Sequence, residues 1–256
     1  MIAARAFLRH ARRRLNRERW LTDRPFTLVL SAGFFGFFSH TGLLSALEAV
    51  GARPQRIIGV SAGALAGGLW AAGLSAERIA TELLALRRQD FWDPGLPLGG
   101  LLRGRKFDAE LRRVLAPSGI DLVERCPTPF VSIAHDVVRR RTFAVQDGDL
   151  ATAIRASCTV PLMFRPIVWR GRLLVDGGVS DRIGRSALTP GERVLVHWIP
   201  SRSRWRRLPP PTLPGVDAEI IVTPGVPALG PFALGEAARA LEVTRAHMHA
   251  WLRESI

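Results

Sequence analysis

The sequence predicts an α/β protein with a mostly parallel sheet covered by helices on both faces. Two short, apolar, β-rich runs, residues 26–32 and 55–60, are each followed by a helical pattern, at 40–50 and 62–72, with short connections. A βαβα opening of this kind requires parallel strands joined by crossover helices. The chain has 256 residues, 47% hydrophobic and 23% charged, which suits one globular domain with a sizeable core.

The elements follow in order. Residues 1–24 form a basic arm with eight arginines against Glu18 and Asp23. Ala4, Leu8, Ala11 and Leu15 recur there at helical spacing, so the arm reads either as an amphipathic helix on an anionic membrane surface or as a solvated extension. No uninterrupted apolar stretch follows it, which argues against a secretory signal. Residues 25–256 then read as the main folded domain. Its segment Ile57–Ala76 has no charge over 20 residues, a length that could span a bilayer. Seven of those residues are Gly or Ser, however, so a strand, a turn and a buried helix are expected instead.

Ser75 is placed to cap a helix running to about Arg88, and the Gly-, Pro- and Leu-rich stretch 93–106 reads as a loop. Strands are expected at 130–135 and 141–145, and a hairpin at 165–175 with Arg170-Gly171 at its tip and Asp176 ending its second strand. Two more strands fall at 193–199 and 218–222, separated by a basic, Pro-rich surface loop at 201–214. A last helix is expected from Phe232 to Arg253, with Ala233, Ala237, Leu241, Thr244 and Met248 on one face.

The net charge is +14, but Lys106 is the only lysine, and the arginine bias accompanies many Ala, Gly and Pro residues. It therefore reads as composition rather than function. Without aromatic interleaving or a reader motif, no nucleic-acid partner is expected. Cys126 and Cys158 are too few for a metal cluster or a disulfide framework, which suits a reducing compartment. Neither metal nor cofactor is expected. The location expected is cytoplasmic, with peripheral membrane contact through residues 1–24 as an option.

The chemistry concentrates in three places. Gly59-Val60-Ser61-Ala62-Gly63 lies between a strand and a helix, where a sharp turn exposes a serine at the carboxyl end of the sheet with a helix N-terminus behind it. The loop Ser31-Ala32-Gly33-Phe34-Phe35-Gly36 joins the first strand to the first helix, and its amides are candidates for an oxyanion hole. It lacks the Lys-Ser/Thr ending and the GxGxxG pattern of nucleotide-binding loops. Phe34, Phe35, Phe37 and Phe38 suggest an apolar surface suited to an acyl chain, or core. The third place is Asp176-Gly177-Gly178, which leaves a carboxylate at a sheet end. Ser61 paired directly with Asp176 explains the spacing better than a triad with His197, His247 or His249, because Ser61 follows only the second strand.

These blocks, SAGFFGFFSHTGLLSALE, GVSAG, SCTVPLMFRPI from Ser157 to Ile167, and VDGG, resemble the patatin-like phospholipases in order and spacing over roughly residues 27–182. The resemblance implies a three-layer α/β/α fold and a Ser-Asp dyad of Ser61 and Asp176. Gly33, Phe34, Phe35 and Gly36 would supply the oxyanion hole, with Gly59, Gly63, Gly177 and Gly178 as motif glycines. Many members carry three consecutive glycines and an arginine in the oxyanion loop, whereas this chain reads Ala32-Gly33-Phe34-Phe35-Gly36. The function expected is a serine lipid acyl hydrolase of the phospholipase A or esterase type, its substrate a lipid or other acyl ester. An acyltransferase, a Ser-His-Asp hydrolase using His197, and a non-enzymatic membrane-surface binder are the alternatives.

Overall fold

A computed structural model describes residues 17–97, 99–201 and 209–254. Residues 1–16, which hold the apolar spacing of the basic arm, and 202–208, most of the basic Pro-rich loop, lie outside the described residues. The rest of the arm includes a helix, α1 (Arg17–Thr22), that buries Trp20 and Leu21.

The opening follows the predicted order: β1 (Thr27–Leu30), α2 (Phe37–Ala49), β2 (Arg56–Val60) and α3 (Ala62–Ala71). Every residue of α3 is buried, as expected of a helix that is apolar all round. Among the described residues no helix is long and apolar enough to cross a membrane. Ser75 caps α4 (Ala76–Ala85) by accepting from the Arg78 amide at 3.1 Å. That helix ends before Arg88, and a separate turn, α5 (Arg88–Phe91), follows. The expected loop at 93–106 contains a short strand, β3 (Gly100–Leu102), and the start of α6 (Arg105–Leu115).

The second half supplies β4 (Phe130–Asp136), β5 (Arg141–Val145), α7 (Leu150–Ser157) and β6 (Leu162–Phe164). The hairpin of β7 (Ile167–Trp169) and β8 (Arg172–Asp176) comes next, then β9 (Arg193–His197), β10 (Asp217–Ile221) and α8 (Ala237–Arg253). The main sheet has eight strands in the order β10-β9-β1-β2-β4-β8-β7, with β5 also on β4. From β10 to β4 all pairings are parallel, whereas β5, β7 and β8 join antiparallel. The small pair β3–β6 stands apart.

The fold is thus α/β with a mostly parallel central sheet flanked by helices, but its layers are unequal. Side chains alternate across each strand. Leu28, Leu30, Ile57 and Leu195 point into the core shared with the helices, and Val29, Ile58, Val60, Val194 and Val196 point to the opposite face. That second face packs on Ile183, Ala187, Leu188, Leu213 and Val216, which are turns and loop instead of long helices. The chain crosses from β8 to β9 there, and its single-turn helices at Gly177–Val179 and Arg185–Ala187 form a thin third layer.

Candidate active site

The turn between β2 and α3 holds Ser61 at φ 54° and ψ −118°, a left-handed backbone that costs a non-glycine residue roughly 1–3 kcal/mol. Neighbouring groups hold it there. The Ser61 amide donates to the Ser157 hydroxyl at 2.7 Å, and that hydroxyl donates to the Ile133 carbonyl at 2.5 Å. The Ser61 carbonyl accepts from the amides of Ala64 and Leu65, at 2.8 and 3.1 Å, and from the Cys158 thiol at 3.0 Å. Gly63 is required for close approach, since a Cβ there would overlap the Leu30 carbonyl, and Gly59 packs directly against Ala64 and Gly63.

Asp176 ends β8, separated from β2 by β4 in the sheet. Its carboxylate lies close enough to the Ser61 side chain for that group to draw its pKa down, and through Oδ1 it accepts from the Gly178 amide at 2.7 Å. A Cβ on Gly177 would strike the Ile133 carbonyl, so the turn after Asp176 can pass beneath β4 only with glycine. The side chain is buried, with 6% of the residue exposed. Burial pushes its pKa up to about 6, against the lowering influence of the Ser61 side chain, the Gly178 hydrogen bond and the nearby Arg182 charge. The group is therefore a far better base near neutral pH than a free aspartate.

Gly33, Phe34 and Phe35 line the same cavity as Ser61, and Phe35 takes a left-handed backbone at φ 55°. Among the described residues the amides of Gly33, Phe34 and Phe35 donate to no protein acceptor. Gly36 differs from expectation. Its amide donates to the Gly33 carbonyl at 2.8 Å and it caps α2, so it is unavailable as an oxyanion donor. Ala62, which the sequence reading did not single out as a donor, opens α3 beside Ser61 and lines the cavity. Its amide belongs to the first helical turn, where N–H groups have no partner within the helix.

The cavity measures about 600 Å³ including its open mouth. Beyond the Ser61 turn its wall is apolar: Phe37, Leu65, Leu86, Phe91, Phe107, Val160, Met163 and Phe164, with Cys158. Phe38 belongs to the core instead. The Cys158 thiol is partly buried with its pKa pushed well up, chiefly by desolvation, so it is a neutral donor and not a nucleophile.

The histidine alternative meets a different arrangement. His197 is fully buried at the end of β9, with Nδ1 2.9 Å from Nδ1 of His40, and His40 Nε2 lies 2.9 Å from the Ser31 carbonyl. A carbonyl only accepts, so His40 Nε2 carries its proton, and His197 Nδ1 then donates to His40 Nδ1. His197 Nε2 is left bare, without a partner among the described residues. Burial holds both imidazoles below their ordinary range, His40 at about 4. His247 and His249 lie on α8, which packs against α2. His197 is thus paired with His40, while the carboxylate set beside Ser61 is Asp176.

Fold and site together define an α/β protein that presents a serine on a strained strand–helix turn, beside a buried aspartate and above an apolar cavity. The Patatin-like phospholipase family profile matches residues 28–188, and the chain belongs to that family. An uncharacterized NTE family protein of Mycobacterium tuberculosis is 34% identical over 159 residues, 60% of this chain and 42% of the relative. A second from that organism is 29% identical over 205 residues, 77% of this chain and 34% of the relative. The mouse patatin-like phospholipase domain-containing protein 6 is 28% identical over 173 residues, 64% of this chain and 12% of the relative. The chain thus spans less than half the length of these relatives. Among solved structures, VipD of Legionella pneumophila aligns over 89% of this chain and 66% of its own, with 12% identity and a TM-score of 0.49.

Proposed function

We propose that this chain is a serine lipid acyl hydrolase that cleaves fatty acyl esters through an acyl-enzyme on Ser61. The observation that carries the reading is Ser61, on its strained turn at the mouth of an apolar cavity, set beside the buried Asp176 carboxylate. As the Ser61 oxygen attacks the ester carbonyl, Asp176 accepts its proton. The amides of Gly33, Phe34 and Ala62 point the oxyanion reading toward donors that have no competing acceptor, and losing one such donor costs about 3–4 kcal/mol of transition-state stabilisation. Collapse of the tetrahedral adduct releases the alcohol, which takes the proton from Asp176. Water then attacks the acyl-enzyme with Asp176 as base, and the fatty acid leaves. The aromatic and aliphatic wall suits an acyl chain, and family membership supports a lipid substrate.

The test is hydrolysis of nitrophenyl acyl esters together with labelling by a fluorophosphonate. Wild type should hydrolyse and be labelled at Ser61, and Ser61→Ala should do neither. Full esterase activity in Ser61→Ala would refute the assignment, and an unlabelled, inactive wild type would leave a binding protein.

A further inference from the structure

We propose that the rim of the Ser61 cavity is a docking face for an anionic lipid bilayer, separate from the basic arm at 1–24. Scattered exposed apolar side chains are normal on a protein surface, but a gathered set marks a contact site. Phe34, Leu96, Leu101, Leu162 and Phe232 are each between 58% and 80% exposed, and strand pairing, hydrogen bonds and ring packing tie them to the elements that wall the cavity. Phe34 itself lines it. Leu162 faces Gly100 in the β3–β6 pair, beside Leu101. The Gly95 amide donates to the Leu101 carbonyl at 3.0 Å, and the Arg165 guanidinium donates to the Leu96 carbonyl. Phe232 packs edge-on against Trp92 at 5.7 Å, next to the cavity residue Phe91.

Leu162 carries the sharpest signal. It holds a left-handed backbone, φ 67°, while remaining 80% exposed, and the next two residues, Met163 and Phe164, line the cavity. An apolar side chain held outward by a strained backbone gains nothing in water.

Charge on the rim names the occupant. The Arg88 guanidinium lies over the rings of Phe232 and Trp92, at 5.0 and 5.6 Å, and Arg103 is exposed between β3 and α6. Among the described residues neither these two nor Arg165 makes an ion pair. The carboxylates nearest in sequence are engaged elsewhere: Asp90 accepts from the Arg87 amide, and Asp93 from the amides of Gly104 and Arg105. Apolar side chains interleaved with uncompensated arginines match acyl chains beneath anionic headgroups. On the lipid-hydrolase reading, on which the purpose of this face rests, an acyl chain passes from bilayer to cavity without crossing water.

The test is sedimentation of the full chain carrying Ser61→Ala with vesicles of phosphatidylcholine, alone or mixed with phosphatidylglycerol. The parent should bind mixed vesicles in preference. Adding Leu162→Asp with Phe232→Asp should weaken partitioning about tenfold or more. Arg88→Gln with Arg103→Gln should erase the preference for phosphatidylglycerol, at roughly fivefold per arginine. The same rim changes on wild-type Ser61 should leave hydrolysis of a short soluble ester unchanged, which verifies folding. Circular dichroism verifies it independently if no ester is cleaved, a result that would sink the hydrolase reading alone. Docking is overturned if the parent ignores mixed vesicles, or if folded rim variants bind as the parent does while removal of residues 1–16 abolishes binding.

Discussion

The hydroxyl of Ser157 accepts the Ser61 amide at 2.7 Å and donates to the Ile133 carbonyl at 2.5 Å, so one buried serine clamps the strained backbone of another to the neighbouring strand. Ser157 is therefore a positioning residue. Ser157→Ala leaves the Ser61 amide and the Ile133 carbonyl without their partner, at a cost of about 1–3 kcal/mol, and frees the turn to relax. On the proposed mechanism, kcat for a nitrophenyl ester should fall roughly 10- to 100-fold with KM little changed, since small misplacements of a reacting atom are costly. A purely packing role for Ser157 would lower Tm and leave the kcat of the folded protein intact.

Asp176 must be ionised to take the Ser61 proton, so kcat/KM should rise with pH through an apparent pKa of about 6 and then level. The sign for stability is opposite. A carboxyl whose folded pKa is raised from 3.8 binds its proton more tightly when folded, so its contribution falls as pH climbs from about 4 through 6. The loss amounts to roughly 3 kcal/mol. Asp176→Asn should thus be inactive yet more stable than wild type at pH 7.5, with the gap closing near pH 4. Denaturant midpoints at the two pH values measure it, and an unchanged gap would refute the buried, desolvated carboxylate.

The His40–His197 pair works in the other direction. Burial lowers His40 from 6.5 to about 4, so the unfolded chain binds protons first, and stability present above pH 6.5 is lost as pH falls toward 4. His40→Gln combined with His197→Gln should flatten the midpoint against pH over that window. His197→Ala should also retain hydrolysis once corrected for folded fraction. Loss of turnover in folded His197→Ala would instead support a histidine base.

Much of the site could be read from the chain because its parts are local. The strand, Gly-rich turn and helix around Ser61 lie within contiguous residues, and the Arg170-Gly171 turn places Asp176 at a strand end whatever the rest of the fold does. Errors fall where distant contacts decide. The last helix begins at Ala237, not Phe232, because Phe232 packs edge-on against Trp92 instead of extending the helix. The strand β3 escaped notice because its partner β6 lies some sixty residues on and nothing in its own pattern announces it. The part played by Ser157 is likewise invisible in sequence, since a hydroxyl's partners depend on where α7 comes to rest.

By itself the sequence determined the α/β class, the turn that exposes Ser61 and the carboxylate at the end of β8, because hydrophobic period and glycine placement act over a few residues. Tertiary structure decided which pairs form. It set Asp176 against Ser61 by placing one strand, β4, between theirs, and buried the carboxylate so that its pKa rises. It also withdrew the Gly36 amide into a turn and closed His197 onto His40. Hydrogen bonds and desolvation depend on distances between segments far apart in the chain, and only the packed fold fixes those distances.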